Sequence, residues 1–401
     1  MFRIIFYMIT ISLLLFSCKE KGSKTLAVER PLWAINPTEF AKNSFNLSDL
    51  ADSIIFIELA PDYPFVGSVE LIKSDRMIVY DYHKTFKYFD RQGNVLGEIG
   101  KVGQGDDEYI QSSRFVSKGA LDCFYDECKN CYVVYSSTPT KRGLRLRYYD
   151  EQGGYYGSIR LNHPHPEIIS RTPDVYFSKG YYYLLVWPSS LREETAVISF
   201  DSNGSVVSKF INDPNRQCFA RSISKPTNKF RDHLLLWGFN DTIYEVRGKE
   251  CTPAYRWEIP QEMRRKLDDT DVANRSVGAV QANEFSPSSI VDTKKWLIVR
   301  GYISPSFHYF YYNKEEGKWY GDSAPNNDLG YYTFGNAICF FDGYYYDETK
   351  DEEWLYHTFN SGDKLLELLE ETDDPRSMSM RKDLSEKDDI NPILVMVRLK
   401  K

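Results

Sequence analysis

The sequence predicts an all-β fold, a six-bladed β-propeller of four-stranded antiparallel blades with short helical insertions, and three observations carry that prediction. Aromatic residues make up 15% of the 401 residues, with 30 Tyr and 24 Phe, a composition that suits pleated, half-buried surfaces better than helices. Short alternating runs recur in groups, each punctuated by a glycine where a hairpin needs positive φ. A solitary strand-like run flanks these groups at each end. Length alone does not decide between one large all-β domain and several smaller ones.

Taken in order, residues 1–17, "MFRIIFYMITISLLLFS", place one basic residue, Arg3, ahead of an apolar run. The run is shorter than the ~20 residues a membrane helix needs and reads as a signal peptide. It ends in "LLLFSC", which resembles the bacterial lipoprotein signal: an aliphatic residue three before the cysteine and a small one directly before it. The resemblance implies cleavage before Cys18 and a diacylglycerol on its sulfur. Two or more acyl chains, at about 0.8 kcal/mol per buried CH₂, hold a protein stably at a membrane surface. The expected location is therefore the cell envelope, lipid-anchored at the outer membrane, with Lys19 compatible with that sorting and the periplasmic or surface side left open. Residues 18–45 are polar with two prolines and read as a tether; residues 46–401 form the propeller.

The first group, "VELIKS", "RMIVYD", "TFKYFD" and "NVLGEI", fits four antiparallel strands into residues 69–99, with Gly93 in the third turn. Its turn signature returns as "YYDEQGGYYG" at 148–157 and "SFDSNGSVVSKF" at 199–210, with looser echoes from Tyr244 and Tyr311. Gly93, Gly153, Gly204, Gly248 and Gly317 are separated by 60, 51, 44 and 69 residues, each near one four-stranded blade plus insertions. A blade cannot shield both faces alone, so blades stack around an axis. The flanking runs, "SIIFIELAP" at 53–61 and "PILVMVRLK" at 392–400, are expected to pair and lock the ring. Residues 260–280 and 361–374 read as helical insertions.

The chain resembles the six-bladed β-propeller lipoproteins of Bacteroidetes, many without assigned activity. The resemblance runs from about Leu47 to the C-terminus and is carried by "LSDLADSIIFIELA", "FDRQGNVLGEIGKVGQGDDEYI", "FNDTIYEV" and "INPILVMVRLK". Where that family commonly has Gly-Pro-Gly-Glu-Tyr, this chain has "GQGDDEY", with Asp106 and Asp107 in place of the proline and last glycine. The glycines Gly100, Gly103 and Gly105 read as a blade connector. A phosphate loop is excluded by the missing Gly-Lys-Ser/Thr ending and by the acidic residues that follow. Asp106, Asp107 and Glu108 leave a calcium ion as a minor alternative, without the spacing of a calcium loop.

Net charge is −7, from 50 basic and 57 acidic residues, with no lysine-rich stripe, which argues against nucleic-acid partners. Cys123, Cys128 and Cys131 read as free or locally bridged thiols, with a metal far behind; Cys218, Cys251 and Cys339 read as buried apolar positions. No catalytic triad or zincin motif is present, no metal or other cofactor is expected, and no residue is assigned a catalytic role. Weak ligand-binding candidates are His163, His165 and Glu167 in "NHPHPE", and Tyr181, Tyr183 and Trp187 in "YYYLLVW". The first set reads more readily as a solvated connector, the second as blade packing with a binding minority at the rim. The functional expectation is an envelope-anchored binding module for a protein or glycan. The alternatives are a lyase or hydrolase with its site at the channel mouth, and an architectural subunit of an export or uptake assembly.

Overall fold

The computed structural model describes residues 32–34, 46–60, 67–73, 75–81, 85–103, 105–109, 121–136, 144–162, 174–186, 196–211, 234–237, 242–258, 285–303, 306–320, 333–334, 337–338, 343–359, 366, 375–386 and 391–401. The first group of alternating runs forms one sheet, Gly67–Ile72, Met77–Asp81, Phe86–Phe89 and Val95–Ile99, paired in chain order and antiparallel throughout. Equivalent four-stranded antiparallel sheets span 121–161, 174–211 and 285–320. A fifth combines Gly343–Asp347, Glu352–Phe359 and Ile393–Leu399 with Ala51–Glu58 from the other end of the chain.

Both faces of a blade are apolar because each looks onto a different neighbour. In Met77–Asp81, Met77 and Val79 pack with Trp354, Leu394 and Met396 of the 343–399 blade, while Ile78 on the opposite face packs with Tyr132 and Val134 of the 121–161 blade. Val133 and Tyr135 in turn meet Val175 and Leu184 of the 174–211 blade. Leu355, Val395 and Val397 meet Trp296, Ile298 and Tyr311 of the 285–320 blade. Period-two side chains thus serve two seams from one strand, which is the packing of a propeller.

The blade count departs from the expected six wholly antiparallel blades: five are of that kind. The remaining four-stranded sheet has three antiparallel strands, Leu234–Trp237, Thr242–Arg247 and Glu250–Glu258, and takes its fourth, Leu32–Ala34, in parallel. A parallel partner can come only from a distant part of the chain, here from within the stretch read as a tether.

The two flanking runs do pair, antiparallel from Ser53 opposite Arg398 to Glu58 opposite Ile393. A short helix, Leu47–Leu50, leads into the closing strand and buries both leucines; the Lys400 N–H donates to the Leu50 carbonyl at 3.0 Å. The helix Pro375–Ser385 was not expected from the sequence and buries Leu384 in the same core. The expected insertion at 260–280 lies outside the described residues, as does that at 361–374 apart from Leu366. Cys123, Cys128, Cys131 and Cys251 are not disulfide-bonded, the first and third buried, Cys128 exposed and Cys251 half-buried; Cys218 and Cys339 lie outside the described residues.

The repeated aromatic-Asp-x-x-Gly turn is a clasp between blades. Its aromatic, Phe89, Tyr149 or Phe200, is fully buried and packs toward the preceding blade. Its aspartate holds the turn: Asp90 Oδ1 accepts from the N–H groups of Gln92 and Asn94 at 2.9 and 2.8 Å, and Asp150 and Asp201 repeat the pattern. The carbonyls of Gly93, Gly153 and Gly204 then accept from the N–H groups of Ala60, Gly100 and Asn162, each just past the outer strand of the blade before, at 2.8, 3.0 and 3.1 Å. All five glycines aligned from the sequence adopt positive φ.

Burial raises the Asp90 pKa, but the Asn94 side chain and the backbone N–H groups of Asn94, Gln92 and Gly93 outweigh it and hold the carboxyl below the usual carboxylate range. A depressed folded-state pKa gives stability that is full above the unfolded value, near 4, and is lost as pH falls through the folded value. Asp90→Ala is expected to cost about 1 kcal/mol at pH 7, the size of a lost cap. The difference from wild type should shrink below about pH 4, as urea melts at pH 7 and pH 3 will show.

Candidate functional site

The strand Leu144–Tyr149 reads "LRLRYY", so Arg145, Arg147 and Tyr149 share the face that meets the 67–99 blade. Tyr149 fills that seam, beside Phe86, Ile99 and Tyr109. Arg145 and Arg147 stand where apolar packing would otherwise continue. The neighbouring strand Tyr155–Leu161 adds Arg160, directly opposite Arg145 in register, and Ser158 opposite Arg147. Like charges facing each other across a ladder are unfavourable unless an anion intervenes.

The connector from the 67–99 blade reaches across this seam. Gly100, at φ 62, turns the chain out of the outer strand, and Lys101–Val102 then pairs in parallel with Glu108–Tyr109. The fold-back is held by Gly103 N–H donating to the Tyr109 carbonyl at 3.1 Å and Gly105 N–H donating to Glu108 Oε2 at 2.8 Å. The Tyr149 hydroxyl anchors it from below, donating to the Asp107 carbonyl at 3.0 Å. The glycines therefore do serve as a blade connector. Of the three acids, Asp106 turns toward Arg145 and Glu108 accepts from the Gly105 N–H.

Arg145 is shared among three partners: Nη1 donates to Asp106 Oδ1 at 2.6 Å, Nε to Ser158 Oγ at 2.9 Å and Nη2 to the Tyr155 hydroxyl at 3.4 Å. The Asp106 hydrogen bond raises the Arg145 pKa against a smaller effect of burial, and the same bond lowers that of Asp106. Arg147 is only 5% exposed, and its Nε is buried without a hydrogen-bond partner. Burial lowers its pKa, and the neighbouring Arg145 charge adds to that. Among the described residues, three guanidiniums thus face one carboxylate that reaches them, and that carboxylate, Asp106, has an 89% exposed side chain.

The hairpin ends of the seams are closed by their own charges. Lys73 pairs with Glu151 at 2.9 Å, Arg76 donates to the Glu151 carbonyl, and the Tyr125 hydroxyl donates to Glu151 Oε1 at 3.1 Å. One seam further on, Lys129 donates to the hydroxyls of Tyr148 and Tyr182 at 2.8 and 3.0 Å, and Tyr182 donates to the buried Asp126 at 2.6 Å.

Of the residues singled out in the sequence, Tyr183 is 1% exposed and its hydroxyl accepts from the Gly248 N–H at 2.6 Å. Tyr181 is half-buried beside Gly248. Both are seam residues toward the mixed sheet. Cys18, His163, His165, Glu167 and Trp187 lie outside the described residues. The arginines were missed, although the signal was present: two cations alternating with leucine on a strand buried on both faces break the pattern that the rest of the blade obeys.

Stacked antiparallel blades, closed by the two ends of the chain, define a β-propeller. Residues 34–398 match the family described as a domain of unknown function, DUF4934, and the chain belongs to that family. No curated protein matches its sequence. Among solved structures, a "Putative exported protein" from Bacteroides fragilis is 17% identical with a TM-score of 0.59, over 92% of this chain and 99% of that one. BamB from Moraxella catarrhalis is 12% identical with a TM-score of 0.37, over 67% of this chain and 66% of that one.

Proposed function

We propose that this chain is a lipid-anchored cell-envelope propeller that binds a protein or glycan partner. The observation that carries the reading is the arginine-lined seam, a set of positive donors that the acids among the described residues do not balance. A lyase or hydrolase at the channel mouth needs an acid and a base free to act. At two hairpin ends the described ionisable groups pair with one another, Lys73 with Glu151 and Lys314 with Asp292. Export is supported by the lipoprotein-like signal ending at Cys18 and by the description of the Bacteroides fragilis structure as that of an exported protein.

The test is affinity capture from detergent-solubilised envelopes with the full-length chain as bait, alongside a glycan array. The reading expects a saturable partner or glycan, and expects Cys18→Ala to move the protein from the membrane fraction to the soluble one. Turnover of a glycan without stable retention would favour the enzyme, and a Cys18→Ala chain that stays membrane-bound would remove the lipid anchor.

A further inference from the structure

We infer that the seam floored by Arg147 and flanked by Arg145 and Arg160 is a carboxylate-binding site for an acidic saccharide, a uronate, and that Asp106 occupies its mouth in the absence of ligand. The inference rests on the binding-module reading and names the ligand chemistry of that module.

Three features support it. A guanidinium that is 5% exposed with an unsatisfied Nε is costly in a seam that could have been apolar, because a buried N–H of a charged group without an acceptor has lost its hydration with no hydrogen bond to replace it. Next, planar guanidinium forks match the two oxygens of a carboxylate in a way that ammonium groups do not, and Arg145 already holds one carboxylate, that of Asp106, at 2.6 Å. Finally, the surrounding neutral groups suit a hydroxylated ring: the Tyr155 hydroxyl and Ser158 Oγ border the same guanidinium at 3.4 and 2.9 Å. Asp106 belongs to a connector anchored by its glycines and by Tyr149. With its side chain largely in water, it can yield Arg145 to a competing carboxylate at little cost, since an exposed ion pair contributes little.

The experiment is calorimetric titration of the detergent-solubilised full-length protein with galacturonate, and in parallel with galactose, sodium sulfate and a glutamate-rich peptide. Galacturonate should bind and galactose should not. Asp106→Asn should tighten galacturonate binding several-fold by removing the internal competitor. Arg147→Met should weaken it at least tenfold while leaving the melting temperature unchanged or raised, because the variant removes a buried guanidinium whose Nε lacks an acceptor; Arg147→Lys should fall between. A lowered melting temperature for Arg147→Met is met by Arg160→Gln, at a half-buried position, which should still lose affinity. The inference is overturned if galactose matches galacturonate, if sulfate or the peptide binds more tightly than galacturonate, or if the Arg147 and Asp106 variants bind as wild type does. A glycan or protein partner captured equally by wild type and Arg147→Met would overturn the site while leaving the binding module intact. Failure of the wild-type chain to retain any partner or glycan would instead count against the module.

Discussion

Gly153→Val is expected to abolish folding of the 121–161 blade against its neighbour. At Gly153, φ is +83°, a region that costs a β-branched residue roughly 1–3 kcal/mol. The added Cβ would also lie 1.9 Å from the Glu98 carbonyl oxygen and 2.9 Å from its carbon. Both belong to backbone of the preceding blade, so no side chain can swing away. Relief requires the clasp to open, which breaks the hydrogen bond from the Gly100 N–H to the Gly153 carbonyl and uncovers Tyr149. The combined loss is about 3–5 kcal/mol, at the top of the range for single substitutions. Gly157→Ala is the control, four residues on: its Cβ would meet only Tyr148 Cδ2, at 4.0 Å, so stability should be unchanged or rise by up to about 1 kcal/mol. Chemical denaturation of the two variants separates a positional effect from a general intolerance to substitution.

The second large effect is expected from truncation at the other end of the chain. A protein starting at residue 46 keeps the closing strand, whereas one starting at residue 61 loses it along with Leu47, Leu50 and Leu59, all at most 2% exposed. It also loses Ile54, Phe56 and Ile57, which pack against two different cores. At about 1.5–3 kcal/mol for each large side chain taken out of water, the loss approaches or exceeds the ~5–15 kcal/mol that holds a typical domain together. It would also leave Ile393–Leu399 as an unpaired apolar edge, a template for intermolecular pairing. Both chains lack Leu32–Ala34 and so differ only in the closing segment: the 46–401 chain should melt cooperatively, and the 61–401 chain should aggregate or melt without cooperativity.

Much of this architecture was legible in the residues. The turn glycines could be aligned because a hairpin fixes φ locally, and the closing strands could be matched because both are apolar runs that the repeats leave over. The mixed sheet could not be read, since the parallel pairing of Leu32–Ala34 with Arg256–Glu258 depends on a contact between parts of the chain more than two hundred residues apart, and nothing in "LWA" announces it. The candidate site was half legible. The "GQGDDEY" connector stood out through its glycines, but its acids suggested cation binding only because the arginines they face lie on another blade. Arg145 and Arg147 show their meaning once Tyr149 fixes which side of the strand meets the seam. Tyr183 shows the converse: an aromatic run looks the same in sequence whether it stacks on sugar or on the next sheet.

The closed ring is tested most directly by a disulfide between its ends. Ser53 and Arg398 are register partners on the closing pair, and directly opposed residues have Cβ atoms about 4.5–5.5 Å apart, close enough to bridge with a small backbone adjustment. In the Ser53→Cys, Arg398→Cys double variant, with each single variant as control for the native cysteines, mild oxidation should give a monomer that migrates faster on non-reducing gels and melts at a higher temperature. Loss of that species, with cross-linked dimers in its place or no cross-link at all, would mean that Ala51–Glu58 and Ile393–Leu399 do not meet within one chain.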